Sequence, residues 1–166
     1  MNRVCTDDER GERVSVELQR RCRVKNIDRI EEMFRREKEL REAVLERKLG
    51  GGGRTGGAPT GHSYVSDPTA VGALRLAAEL NSVALFNGYI VYQPEAWLSV
   101  IDAVKEWCGR DEIRQEIYRR RYKLGESYKT SCWDLHISSS TYHFLLVEIR
   151  NYALACAAQA QVIRVF

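Results

Sequence analysis

Residues Tyr128–Val147 read YKTSCWDLHISSSTYHFLLV, and the order of small, apolar and turn-forming residues in this stretch decides the fold. Cys132 is a small residue where two short helices would touch, and Leu135, Ile137, Tyr142 and Leu145 stand at the apolar positions that hold such a pair at a fixed angle. His136 falls in the turn between them, where the backbone goes left-handed and Gly is usual. His is among the non-Gly side chains that tolerate positive φ, so it fits there at little cost. Ser138 has the character of an N-cap, its hydroxyl placed to accept from an unpaired backbone N–H of the next helix. Only Ser131 departs, standing where an apolar residue is expected. The pattern is helix, turn, helix. It serves either as a DNA-reading unit or as an ordinary helix pair, and the residues alone leave both readings open.

Downstream, a long helix is predicted from Ser139 to about Gln159, with Tyr142, Leu145, Ile149, Ala153 and Cys156 along one stripe. That stripe should pack on the preceding helix, with Ala153 permitting a close approach. Ser140, His143, Phe144, Val147 and Asn151 share the opposite face, where base edges or another partner would meet it. Upstream, Asp111 opens a helix with Ile113, Ile117, Tyr118 and Tyr122 inward and Gly125 at its end. Gln93-Pro94-Glu95 opens an earlier one, with Trp97, Ile101, Val104 and Trp107 on its apolar face and Gly109 as its stop. Ser66-Asp67-Pro68-Thr69 begins another, running through Val71, Leu74, Leu76, Leu80 and Val83 to a stop at Asn87-Gly88. The Trp and Tyr residues at helical spacing read as core rather than as a cofactor site. Gly88-Tyr-Ile-Val-Tyr92 is the one short run with strand character.

The first part of the chain differs in kind. From about Val14 to Leu49 it is dense in Glu, Arg and Lys, with Ile27, Ile30, Met33, Leu40 and Val44 recurring mostly every three or four residues. This predicts a helix with a narrow apolar stripe, suited to pairing with another helix and so to self-association. Glu37 interrupts the best heptad register at an inner position, which argues against a long regular coiled coil. The mixed charges read most simply as a solvated face. Six glycines then fall within residues 50–57, a flexible tether without the strand, Lys-Ser/Thr or glycine spacing of a phosphate loop. The expected organisation is a charged amphipathic helix (1–49), a Gly-rich linker (50–66), a helical core segment (67–109) and a helix-turn-helix region (110–166). The fold class is all-α.

A chain of 166 residues can bury one core of useful size. Its net charge of +3 is too small to call it basic, but the distribution is uneven. Residues 1–49 carry 14 basic and 12 acidic side chains, residues 50–109 carry 3 and 5, and residues 110–166 carry 9 and 6. The highest net positive charge therefore lies with the helix-turn-helix pattern. Five scattered cysteines, without C-x-x-C or a neighbouring His pair, fit neither a disulfide framework nor a zinc site and suit a reducing compartment. No stretch approaches the ~20 apolar residues of a membrane span, and no leader pattern opens the chain. A cytoplasmic protein is expected. No nucleophile is paired with a base and no carboxylates cluster at metal-ligand spacing, so neither an enzyme nor a metal or cofactor is expected.

In a DNA-reading unit the second helix enters the major groove with its N-terminal residues while the first crosses the phosphate backbone. Ser138, Ser139, Ser140 and His143, with Val147 further along, are then the DNA-facing side chains. Ser discriminates weakly among bases, and the first three turns of the helix contain no Arg, Asn or Gln for a bidentate contact. Lys129 can anchor a phosphate, as can Arg119, Arg120, Arg121 and Lys123, although that run also reads as a solvated face beside Glu116. Phe144 and Val147 suit thymine methyl groups or a protein partner.

The entry Ser66-Asp67-Pro68-Thr69-Ala70, the helix start Pro94-Glu95-x-Trp97, and the series Tyr118-x-x-x-Tyr122 then Leu135-x-Ile137-Ser138-x-x-Thr141-Tyr142 together resemble the RinA/ArpU family of phage-encoded late-gene transcription regulators. The end series is also similar to region four of the sigma-70 factors. The resemblance covers roughly the last 100 residues, and departs from the family where Ser131-Cys132 replaces Ile-Ala and where the reading helix lacks a basic residue before Arg150. It implies control of phage or prophage late genes through double-stranded DNA, with contact to bacterial RNA polymerase. Two other functions fit the same pattern: an adaptor that binds polymerase or another protein with little DNA contact, and a small DNA-packaging (small terminase-like) subunit that assembles into a ring.

Overall fold

The computed structural model describes residues 7–49 and 78–164, residues 7–17 as backbone alone. Their elements run α1 (Asp7–Arg35), α2 (Glu37–Leu49), β1 (Ser82–Ala84), β2 (Ile90–Tyr92), α3 (Pro94–Cys108), α4 (Glu112–Tyr118), a π-helical turn (Arg119–Leu124), α5 (Tyr128–Asp134) and α6 (Ser139–Gln159). The described fold is helical with one small hairpin. The Gly-rich linker, and the helix start expected at Pro68 with Val71, Leu74 and Leu76, lie outside the described residues.

Helix α6 packs against α3, α4, α1 and α5. It buries Tyr142, Leu146, Ile149, Ala153 and Ala157, so the expected stripe is correct at Tyr142, Ile149 and Ala153 but shifted by one residue at Leu145 and Cys156. Both of those are half-buried. A period of 3.6 lets either of two adjacent positions face the core, and sequence spacing does not choose between them. Trp97, Ile101 and Val104 of α3 and Ile117 of α4 complete the centre. Ile113 stays exposed, against expectation, because it lies in the first turn of α4, away from that centre.

The N-terminal helix is no free arm. Ile30, Met33, Phe34, Leu40 and Val44 belong to the same core as α3 and α6, and Phe34 lies edge-on to Tyr118 and Tyr122 at ring distances of 5.2 and 5.0 Å. The apolar stripe expected to pair with another helix packs on this chain's own helices at Ile30, Met33, Leu40 and Val44. The tethered-helix picture is corrected for these residues. The single expected helix is also two, with a turn at Arg36. The turn leaves basic Arg35 at the C-terminus of α1 and acidic Glu37 and Glu39 in the first turn of α2, each charge favourable to its helix dipole.

Asn87-Gly88 was expected to stop a helix, but it turns a hairpin. Val83 pairs with Val91 in antiparallel register, the N–H of Gly88 donates to the Leu85 carbonyl at 2.8 Å, and Gly88 takes φ 78°. The same dipeptide serves a helix C-cap or a hairpin turn, and here the β-branched residues on both sides favour the hairpin. Its inner residues Val83 and Val91 are buried, and its turn is tied to the break between α1 and α2. There Asn87 accepts from Arg36 at 2.7 Å, and the Phe86 N–H donates to the Glu39 carboxylate.

Two buried carboxylates bind the N-terminal helices to the rest. Glu31 accepts from Tyr122 Oη at 2.9 Å and Arg150 Nε at 2.8 Å, with Arg35 and Arg121 beside it. Glu37 accepts from Arg41, Lys105 and Lys123. Burial pushes the Glu37 carboxyl up, but the hydrogen bonds from these three cations outweigh it and hold the group down at about 2. This explains why an acid stands at an inner position of the stripe: it is buried, but fully partnered.

Candidate nucleic-acid interface

The α5–α6 unit is built by its caps. Ser127 Oγ accepts from the Thr130 N–H at 3.3 Å, and Ser138 Oγ accepts from the Thr141 N–H at 3.0 Å. Each Ser also shares a hydrogen bond with the hydroxyl of its Thr, at 2.9 and 2.8 Å. Two Ser-x-x-Thr starts thus open the two helices in the same way. Between them Leu135 is the C-cap and His136 takes φ 53°. The N–H of Ile137 donates to the Cys132 carbonyl at 3.1 Å, and that of His136 to the Trp133 carbonyl at 3.3 Å. This is a Schellman closure with His in the left-handed position where Gly is usual.

Ser131 turns out to be the small buried residue of α5, with no exposed surface, while Cys132 is half-buried beside it. The Ser131 hydroxyl donates to the Ser127 carbonyl at 3.1 Å, so a polar side chain is satisfied where an apolar one was expected. Leu135 and Ile137 are half-buried against the core.

The outward side carries Lys129, Ser139, Ser140 and His143, all exposed. Phe144 and Val147 are 63% and 47% exposed. The His143 ring lies 5.3 Å from that of Tyr128 and 5.5 Å, perpendicular, from that of Tyr142, which holds it at the edge of the face. Ser138 is exposed as a residue, but its hydroxyl is engaged by the cap. A hollow of about 560 Å³ opens on this side between Tyr128, Lys129, Trp133, His136, Ile137 and Ser139. Trp133, 82% exposed, was missed in the sequence. With Ser131 as the inward residue, the helical period turns Trp133 outward. Taking Cys132 as the inward one hid this.

The arginine run is divided. Arg119 is exposed and forms a two-pronged contact with Glu116 at 2.7 and 2.6 Å. Arg120 bridges Glu116 at 2.8 Å, Glu126 at 3.0 Å and Asp134 at the end of α5. Arg121 turns inward to Glu31, and Lys123 to Glu37 and the Phe34 carbonyl. The hydrogen bond from Arg119, with Arg120 behind it, holds the Glu116 carboxyl down at about 2. The run lies in the π-helical turn, whose i→i+5 hydrogen bonds put more residues in each turn and so point successive side chains in directions that an α-helical projection does not anticipate. Lys129 is thus brought together with the α6 face, whereas Arg120 and Arg121 act as internal ties. Arg150, the first basic residue of α6, lies on Glu31.

Among the described residues no three His, Cys, Asp or Glu side chains are grouped to hold a metal. Burial pushes the Cys108 thiol up to about 11, leaving it a packing group. No helix among the described residues is long and apolar enough to cross a membrane. Compared with known families, curated proteins and solved structures, the chain matches no family model, no curated protein and no solved structure.

Proposed function

We propose that this protein is a DNA-binding transcription regulator that reads duplex DNA with α6 and steadies itself on the backbone with α5. The observation that carries the reading is the exposed, Ser138-capped helix start: Ser139, Ser140 and His143 stand exposed on the first turns of a helix whose other side is locked into the core. In the major groove these side chains meet base edges, Phe144 and Val147 meet thymine methyls, and Lys129 meets a phosphate. Arg119 adds a phosphate contact by exchanging Glu116 for DNA. Few cations face this way, so affinity falls with salt along a shallow slope. The resemblance to phage late-gene regulators and to sigma region four supports a role at promoters, in contact with RNA polymerase.

The test is anisotropy of a labelled random-sequence duplex at two salt concentrations, with the parent chain and with Ser140→Glu. The reading expects salt-sensitive binding that Ser140→Glu abolishes while far-UV circular dichroism stays unchanged. Equal binding by parent and variant would contradict it.

One observation favours a second reading. Trp133, Phe144 and Val147 make the outward side unusually apolar for a DNA-facing surface. An adaptor would use them on polymerase with no DNA present, and a pull-down without nucleic acid separates the two. A ring-forming packaging subunit is tested by mass in solution, where a monomer or dimer excludes it.

A further inference from the structure

A second surface lies at the other end of α6. Between α1 and the C-terminal half of α6 runs an open cleft of about 690 Å³. Its floor is apolar, formed by Cys22 of α1 and Leu154, Ala155 and Ala158 of α6, and its walls carry Arg20, Arg23 and Arg164. A smaller hollow of about 360 Å³ continues it past Lys25 and Arg29. Among the described residues no carboxylate lines either one. Arg23 reaches across to Asn151 at 2.7 Å, and Asn26 donates to the Arg164 carbonyl at 2.9 Å, so the walls are braced from both sides. Arg20, Lys25 and Arg164 form no ion pair among the described residues, in a protein whose other cations are mostly matched to acids.

The cleft is out of reach of a groove read by the start of α6. Asn151 stands twelve residues beyond Ser139, about 18 Å along the axis, whereas the major groove is about 12 Å wide. A row of residues, apolar except for Asn151, nevertheless leads toward it. Phe144, Val147, Asn151, Leu154 and Ala158 follow at three- and four-residue steps, the spacing that one helix presents to another lying alongside. Phosphate backbone would leave the floor of Leu154, Ala155 and Ala158 unused. A purely apolar partner would leave the arginines unmatched.

We propose that this cleft seats an acidic amphipathic helix of a partner protein, with its apolar side on Leu154, Ala155 and Ala158 and its carboxylates on Arg20, Arg23 and Arg164. About two turns of α6 line the cleft, from Asn151 to Ala158, enough to seat the middle of a partner helix. It does not depend on the DNA reading above, because none of its residues belongs to the proposed DNA face.

The experiment is selection of a displayed library of sixteen-residue helical peptides on the full chain, followed by affinity measurement on the enriched peptides. Enrichment of net-negative sequences with apolar residues at three- and four-residue spacing is expected. The double charge reversal Arg20→Glu/Arg23→Glu should weaken these peptides at least tenfold, and Ala155→Arg, which fills the floor, should do the same. Duplex binding by both variants should stay within twofold of the parent. The proposal is overturned if nothing enriches, if the enriched peptides are neutral or basic, or if the two variants bind them as the parent does. It is equally overturned if the charge reversal lowers duplex affinity and duplex displaces the peptides, which would make the cleft a phosphate track.

Discussion

Glu31 and Arg150 meet at 2.8 Å across 119 positions of chain, and through them the N-terminal helix grips the helix that carries the proposed reading face. Tyr122 and Arg121 converge on the same carboxylate. Removing it strands the guanidinium groups of Arg121 and Arg150 with a buried phenol, and takes a partner from Arg35 as well. Glu31→Ala should therefore destabilise the fold by about 3 kcal/mol, measured by urea unfolding. Loss of less than about 1 kcal/mol would mean that the contact behaves as a surface pair.

Glu37 gives the fold a pH dependence of known sign. Its carboxyl ionises near the ordinary 4.5 in the unfolded chain and at about 2 in the folded one. The unfolded state therefore takes up the proton first as acid is added. The stabilisation is complete above about pH 5 and is lost as pH falls toward 2. Glu31 is held low as well: burial raises its carboxyl, and the hydrogen bond from Arg150 leads the effects that bring it down. Unfolding free energy measured between pH 5 and pH 2 should decline, and Glu37→Gln should flatten the decline by on the order of 2 kcal/mol after solvent screening is allowed for. An equally steep curve for the variant would assign the acid sensitivity elsewhere.

His136 holds a left-handed conformation at φ 53° that Gly adopts without a Cβ penalty. His136→Gly should raise stability by about 0.5–1 kcal/mol, and His136→Val should lower it by more than 1 kcal/mol. Thermal unfolding of the pair checks this. If Val were tolerated as well as Gly, the turn would be more plastic than its two closing hydrogen bonds imply.

Arg120 ties the π-helical turn to Asp134 at the end of α5. Arg120→Ala should therefore loosen α5, raising hydrogen exchange at the amides of residues 128–134. Arg119→Ala, which removes only a contact to Glu116 on its own segment, should leave those amides as protected as in the parent. Similar effects from both would refute the division of the run into internal tie and exposed cation.

Much of this structure was legible in the sequence because local chemistry decided it. Ser138 as N-cap, His136 in the turn, Asp111 as a helix start and Gly125 as a stop all depend on backbone groups within a few residues. What escaped depends on distance. Arg121 cannot be assigned to Glu31 without knowing that α1 lies beside the π-helical turn. Val83 and Val91 find each other only because Asn87-Gly88 turns back instead of capping a helix. Ser131 was misjudged and Trp133 overlooked for one reason: a shift of one position turns a two-turn helix by about 100°, enough to move Ser131 fully inward and Trp133 fully outward. The charged N-terminal helix read as solvated because its buried acids are matched by cations from segments far along the chain.

The central claim is that the outward side of α5 and α6 lies against duplex DNA. It is tested most directly by amide chemical shifts of the full chain titrated with a short duplex at low salt. The account predicts that the largest changes fall at Lys129, Ser139, Ser140, His143 and Val147, while the cleft around Arg23 and Ala155 stays silent. Changes centred on the hairpin or on α1, or no change at any duplex concentration, would contradict it.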